Sequence, residues 1–206
     1  MSKEIKNIIF DMGNVLLDYS PENCLGNYFP DENDFALVKR VIWTSGDWDK
    51  LDAGYLTDDE ALARWYAALP ERLHEPTREM FLTWHERMPP IDGMTEFVRE
   101  LKENGYRCYL LSNASLRFSL YQNMYEVLTL LDGRFVSSFY RMAKPDPAIY
   151  LKLFETFSLD PEECFFIDDR EVNVNASRSV GMRAYQHKTY DIEALRAAMR
   201  EEGIRI

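Results

Sequence analysis

Short, unbroken apolar runs recur along the chain at residues 5–10, 106–111, 135–139, 164–167 and 182–185. Runs of this length, apolar at consecutive rather than alternate positions, read as strands buried on both faces. Between the later runs the spacing becomes helical. Met94, Phe97, Val98 and Leu101 recur at i, i+3, i+4 and i+7, and Gly105 follows as a stop signal. Strand–helix–strand alternation calls for parallel pairing, because successive parallel strands need a crossover and the right-handed crossover is the rule. The expected fold class is α/β: a doubly wound parallel sheet with helices on both faces.

The first two runs are separated by residues 11–105, far more than the roughly dozen residues that a crossover needs. An insert is therefore expected. Pro30-Asp31 opens a helical pattern to about Trp43, Thr57 and Glu60 form a capping box ahead of Leu62, Trp65 and Tyr66, and Glu75-Pro76 opens a third pattern to about Met88. Pro89-Pro90 ends the insert, since neither residue can donate to a helix. The expected division is a Rossmann-like core of residues 1–17 and 90–206 and a small helical domain of residues 18–89. All four tryptophans, Trp43, Trp48, Trp65 and Trp84, fall in this insert. Core filling outweighs ligand stacking as their use, because a small bundle needs large apolar side chains. Gly46, Asp47, Asp49 and Gly54 read as a loop between insert helices, either substrate-reading or merely connecting.

The chemistry collects where the runs end. In open parallel sheets, ligands bind at the carboxyl ends of the strands. The first run ends Phe10-Asp11-Met12-Gly13-Asn14, with a carboxylate at that edge. The second ends Leu111-Ser112-Asn113-Ala114 with a helical pattern expected at once, so that a hydroxyl and free N–H groups meet at a helix N-terminus, a site for an anion. Lys144 stands just ahead of a helix carrying Ile149, Leu153 and Phe157. The fourth run ends Ile167-Asp168-Asp169, and adjacent carboxylates repel unless a cation compensates. Singly, these residues read equally well as a turn, a helix cap and a solvated lysine. Together Asp11, Ser112, Lys144, Asp168 and Asp169 supply a carboxylate nucleophile, a phosphate-binding hydroxyl, a cation for phosphoryl oxygens and hard oxygen ligands for Mg²⁺.

In this order the four segments resemble the four motifs of the haloacid dehalogenase (HAD) superfamily of aspartyl-phosphate hydrolases, over residues 5–188. The resemblance implies a sheet order of 5-4-1-2-3 and a helical C1 cap, residues 18–89, that closes over small substrates. It implies that Asp11 is the nucleophile, that Ser112 and Asn113 hold the phosphate, that Asn14 is a further substrate-binding residue, and that Lys144 bridges nucleophile and phosphate. It also implies a Mg²⁺ site of Asp11, the Gly13 carbonyl and Asp169, with Asp168 or Asn173. One position departs from the family. Most of its phosphatases carry a second aspartate two residues after the nucleophile, as acid and base, where this chain has Gly13. The stretch Asp11-Met12-Gly13-Asn14-Val15 is similar to a branch that includes bacterial α-D-glucose-1-phosphate phosphatases. With no acid at that position, good leaving groups such as that of glucose 1-phosphate are expected to be favoured, unless water or another side chain gives the proton. Asp18 is one such candidate, although a turn role is its plainer reading.

The implied activity is a Mg²⁺-dependent phosphatase acting on a small phosphorylated metabolite. The alternatives are a phosphometabolite- or protein-binding module that has lost turnover, and a haloacid dehalogenase, which needs no magnesium and gives no use to the Asp168-Asp169 pair. A mutase depends on the acid that Gly13 lacks. Asp and Glu number 35 against 24 Lys and Arg, for a net charge of −11. With no basic stripe, neither nucleic acid nor an anionic membrane is an expected partner. No apolar stretch approaches the roughly 18 residues of a membrane span and no leader is evident at Met1, so a cytoplasmic location is expected. Cys24, Cys108 and Cys164 form no metal or CxxC spacing and read as buried reduced thiols. His74, His85 and His187 form no ligand pair and read as surface or cap residues. Nothing in the sequence sets an oligomeric state.

Overall fold

A computed structural model describes residues 3–188 and 190–206. Five strands, β1 (Asn7–Phe10), β2 (Arg107–Ser112), β3 (Gly133–Val136), β4 (Cys164–Asp168) and β5 (Arg183–Gln186), form one parallel sheet in the order β3-β2-β1-β4-β5. This is the expected order, and β1 lies at its centre with Ile9 opposite both Tyr109 and Phe166. All of β1 is buried. Its pleat divides the side chains between two cores: Ile8 and Phe10 pack with Phe97, Val98 and Leu101 of the helix Met94–Glu103, and Ile9 packs with Phe166 and with Ile149 and Leu153 of the helix Pro147–Phe157. A sheet covered on both faces needs apolar residues at every position, which is why its strands read as unbroken runs.

Two expectations at the sheet edge are corrected. The third run is a strand only over Gly133–Val136, and Ser137–Tyr140 turns into a short helix. Ser137 explains the turn: its hydroxyl accepts from the Ala114 N–H at 2.9 Å and donates to the Asp52 carbonyl, drawing the chain towards β2 and the insert. After Ser112, moreover, no helix begins at once. The next one is the four-residue Phe118–Tyr121, so the expected helix N-terminus at Ser112 is not formed.

The insert contains helices Pro21–Leu25, Glu32–Val38, Asp47–Asp52, Asp58–Ala68 and His74–Thr83, with a π-turn Lys39–Trp43 after the second and a 3₁₀ turn Trp84–Arg87 at the end. The capping box at Thr57 and Glu60 is complete. Asp47 and Asp49 lie in a helix rather than the expected loop; Gly46, at φ 82°, starts it and the two acids complement its first turn. The chain leaves the sheet and returns to it at one place, where Leu17 bridges Pro90 and the Asp18 N–H donates to the Pro89 carbonyl at 2.8 Å. Trp65, 1% exposed, fills the bundle's core against Trp48 and Phe81. His85 and His187 are buried, a correction for His187, which lies outside the insert; His74 stacks on Tyr66. The three cysteines are buried and free, and burial pushes each thiol up to about 12. Among the described residues no helix is long and apolar enough to cross a membrane.

Candidate active site

Parallel register sets Phe10 level with Leu110 and Ile167, so the residues that follow emerge side by side at one edge of the sheet. Asp11 follows β1, Ser112 closes β2, and Asp168 closes β4. Lys144 enters from the loop ahead of the helix Pro147–Phe157. Its ammonium stands 2.8 Å from Asp11 Oδ1 and 2.7 Å from Asp168 Oδ2, with the lysine side chain 1% exposed. The sequence-predicted Asp11, Lys144, Asp168 and Asp169 are thus brought together, and one oxygen from each of the three aspartates lies within 4.8 Å of the others.

Three acids share a single lysine, and the electrostatics follow from that surplus. Burial pushes the Asp11 carboxyl up to about 7 against the pull of Lys144, and Asp168 adds to the rise. Burial also raises Asp169, opposed by its hydrogen bond from Asn14. For Lys144, burial works to lower the ammonium, but Asp11 and Asp168 outweigh it and hold it above the usual lysine range. Surplus negative charge among hard oxygens suits a divalent cation. The Asn173 amide oxygen fits the same use: it is buried and has no partner among the described residues.

The site's polar side chains divide into those that hold others in place and those left open. Asp168 accepts from Lys144, from the Asn173 Nδ2 at both of its own oxygens (2.9 and 3.1 Å) and from the Arg170 N–H (2.9 Å), so its oxygens are heavily committed. Asn14 donates to Asp169 Oδ2 at 3.1 Å. Asn113 accepts from the Lys144 N–H and donates to the Lys144 carbonyl, so its side chain is spent on the lysine's backbone. Ser112 is 2% exposed, and its hydroxyl makes only a long 3.5 Å contact with the Asn113 carbonyl. Asp18 accepts from the Tyr190 hydroxyl at 2.6 Å and does not line the cavity.

Above these groups lies a cavity of about 340 Å³. Asp11, Gly13, Ser112, Lys144 and Asp169 line it, as do Tyr19, Trp43, Trp48, Trp84 and Tyr121 and two acids, Asp49 and Asp52. The rings form one wall: Tyr19 to Trp43 is 4.6 Å between centroids, Trp43 to Trp48 5.5 Å and Trp48 to Trp84 5.2 Å. Core filling therefore accounts for Trp65, while the other three tryptophans also face a ligand space. Tyr19 packs against Gly13, where an added Cβ would stand 3.2 Å from the tyrosine Cβ. Tyr19, Tyr121 and Asp52 were not anticipated as lining residues. The i, i+4 relation of Trp48 to Asp52 would have placed that acid beside a cavity tryptophan.

Sequence comparison gives the family and structural comparison the fold. The sesquiterpene phosphatase astK of Aspergillus oryzae is 28% identical over 186 residues, 88% of this chain and 89% of that protein. The drimenol cyclase drtB of Aspergillus calidoustus is 30% identical over 154 residues, and the match spans only 28% of its length. A HAD family enzyme of Bacteroides thetaiotaomicron, solved with magnesium and inorganic phosphate, superposes with a TM-score of 0.68 at 22% identity, covering 91% of this chain and 96% of that one. Residues 5–181 match the haloacid dehalogenase-like hydrolase family, and the chain belongs to it.

Proposed function

We propose that the protein is a Mg²⁺-dependent phosphatase that hydrolyses a small phosphomonoester through an aspartyl phosphate on Asp11. The observation that carries this reading is the Lys144 ammonium held between Asp11 and Asp168, with Asp169 beside them, at one cavity that Asp11, Lys144 and Asp169 line. Asp11 is aimed by the Met12 N–H, which donates to its Oδ1 at 2.7 Å. Its carboxylate attacks phosphorus, Lys144 offsets charge on the phosphoryl oxygens, and the Ser112 hydroxyl is open to donate to one of them. Asp11, Asp169 and the Gly13 carbonyl, with Asp168 or Asn173, would hold Mg²⁺. When bound, the ion shields the phosphate's negative charge from that of Asp11. The Bacteroides enzyme's magnesium and phosphate support this assignment.

The helices of residues 18–89 act as a C1 cap over the core of residues 1–17 and 90–206 and supply the aromatic wall. A sugar phosphate such as glucose 1-phosphate suits that wall: ring faces pack on the aromatics, and Asp49 and Asp52 hydrogen-bond to hydroxyls. Three reduced, buried thiols fit the cytoplasm. The test is phosphate release from a panel of sugar and prenyl phosphates with Mg²⁺. Activity should disappear with EDTA and in Asp11→Asn, and undiminished turnover in Asp11→Asn would overturn the assignment.

A further inference from the structure

We propose that Asp52 donates the proton to the leaving oxygen during attack by Asp11 and recovers one from the water that later hydrolyses the aspartyl phosphate. This rests on the phosphatase reading above. An alkoxide leaves poorly at neutral pH without a proton, so an acid must stand near the ester oxygen. The other cavity groups are spoken for. Lys144 is locked between two carboxylates, Asp169 is held by Asn14, and Gly13 has no side chain. Burial pushes the Tyr19 and Tyr121 hydroxyls well above the usual phenol range, which makes them weaker acids still. Asp49 is exposed to solvent.

Asp52 differs from all of these. It is half-buried in the wall of the cavity that contains Asp11, and no cation is paired with it among the described residues. The Ser115 N–H donates to its carboxyl group, and its own carbonyl accepts from Ser137, whose hydroxyl also holds the Ala114 N–H. The carboxyl end of the residue thus meets the loop that follows Ser112, and its backbone end is held by Ser137, which binds the same loop at Ala114. The approach is close: Gly54, at φ 73°, lies where a Cβ would meet the Ser138 carbonyl at 2.8 Å. Burial, with Asp49 adding, holds the Asp52 carboxyl well above the usual carboxylate range and so keeps its proton in place.

The bonds balance in two steps. As the Asp11 oxygen bonds to phosphorus, the ester P–O bond breaks, its electron pair stays on the leaving oxygen, and that oxygen takes the Asp52 proton and departs as a neutral alcohol. Water then attacks phosphorus and gives one proton to the Asp52 carboxylate. The aspartyl P–O bond breaks, which releases inorganic phosphate and restores both carboxyl groups.

The experiment compares kcat/KM, which reports the attack by Asp11 and no later step, for 4-nitrophenyl, phenyl and 4-methoxyphenyl phosphate, esters of one shape and rising leaving-group pKa. The native protein should vary little across the series. Asp52→Asn should stay within about threefold on 4-nitrophenyl phosphate and lose about 10²-fold on the other two. Equal losses on all three, or none, would overturn the role of Asp52. So would a steep dependence in the native protein, which needs no variant to fold. No phosphate release from any ester by the folded native protein with Mg²⁺ would instead sink the phosphatase reading, and this proposal with it.

Discussion

Asn113 grips the backbone of Lys144 from both sides, its Oδ1 accepting from the lysine N–H at 2.8 Å and its Nδ2 donating to the lysine carbonyl at 3.0 Å. One side chain after β2 thereby sets the height at which the ammonium meets Asp11.

Asn113→Ala should accordingly impair catalysis without touching the ammonium itself. Two buried backbone groups lose their partners, at about 1–3 kcal/mol of stability. A misplaced lysine should lower kcat/KM by about 10²-fold. Thermal melts and steady-state kinetics on one aryl phosphate check both figures. Unchanged kinetics would show that the loop holds Lys144 without the clamp.

Metal binding should depend on pH with a definite sign. The Asp11 carboxyl is raised from 3.8 to about 7 in the folded protein, and Asp169 is raised too, so both hold protons that the unfolded chain releases. The contribution of Asp11 to metal-free stability is full below about 3.8 and is lost as pH rises towards about 7. A cation must displace these protons, so Mg²⁺ affinity should tighten as pH rises up to and through 7. Calorimetric titrations at pH 6, 7 and 8, in buffers of different ionisation enthalpy, should show proton release that declines at the highest pH. Affinity independent of pH would refute the linkage.

Placing the missing acid back at position 13 should fail. An added Cβ at Gly13 meets the Tyr19 Cβ at 3.2 Å and its ring at 3.3 Å, and a carboxylate needs more room than that. Gly13→Asp should lower the melting temperature and reduce kcat/KM on phenyl phosphate. Combining it with Tyr19→Ala should recover part of the stability loss caused by crowding, as a double-mutant cycle on thermal melts will show.

The sheet and the gathering of polar side chains at its edge were readable in the sequence because each follows from a local pattern. Ile8, Ile9 and Phe10 are buried on opposite faces and so form an unbroken run, and Asp11 stands directly after it. Phe139 misled for the same reason. It prolongs an apolar run, but the hydroxyl of Ser137 finds partners off the sheet and turns the chain, leaving Phe139 49% exposed. The helix Asp47–Asp52 was hidden by its brevity and by Gly46. Tyr19, Asp52 and Tyr121 come from three distant segments that meet only when the insert packs over the sheet, and no local periodicity encodes such a meeting.

The bridge between Leu17 and Pro90 has a consequence for how such a protein diversifies. Because the insert departs and returns at a single point, it is tethered like a loop whose length and content carry little entropic cost to the rest of the chain. Selection can rewrite the cavity's ceiling, exchange its tryptophans or lengthen its helices, while the strands beneath keep their register. New substrates are then reachable without reinventing the chemistry.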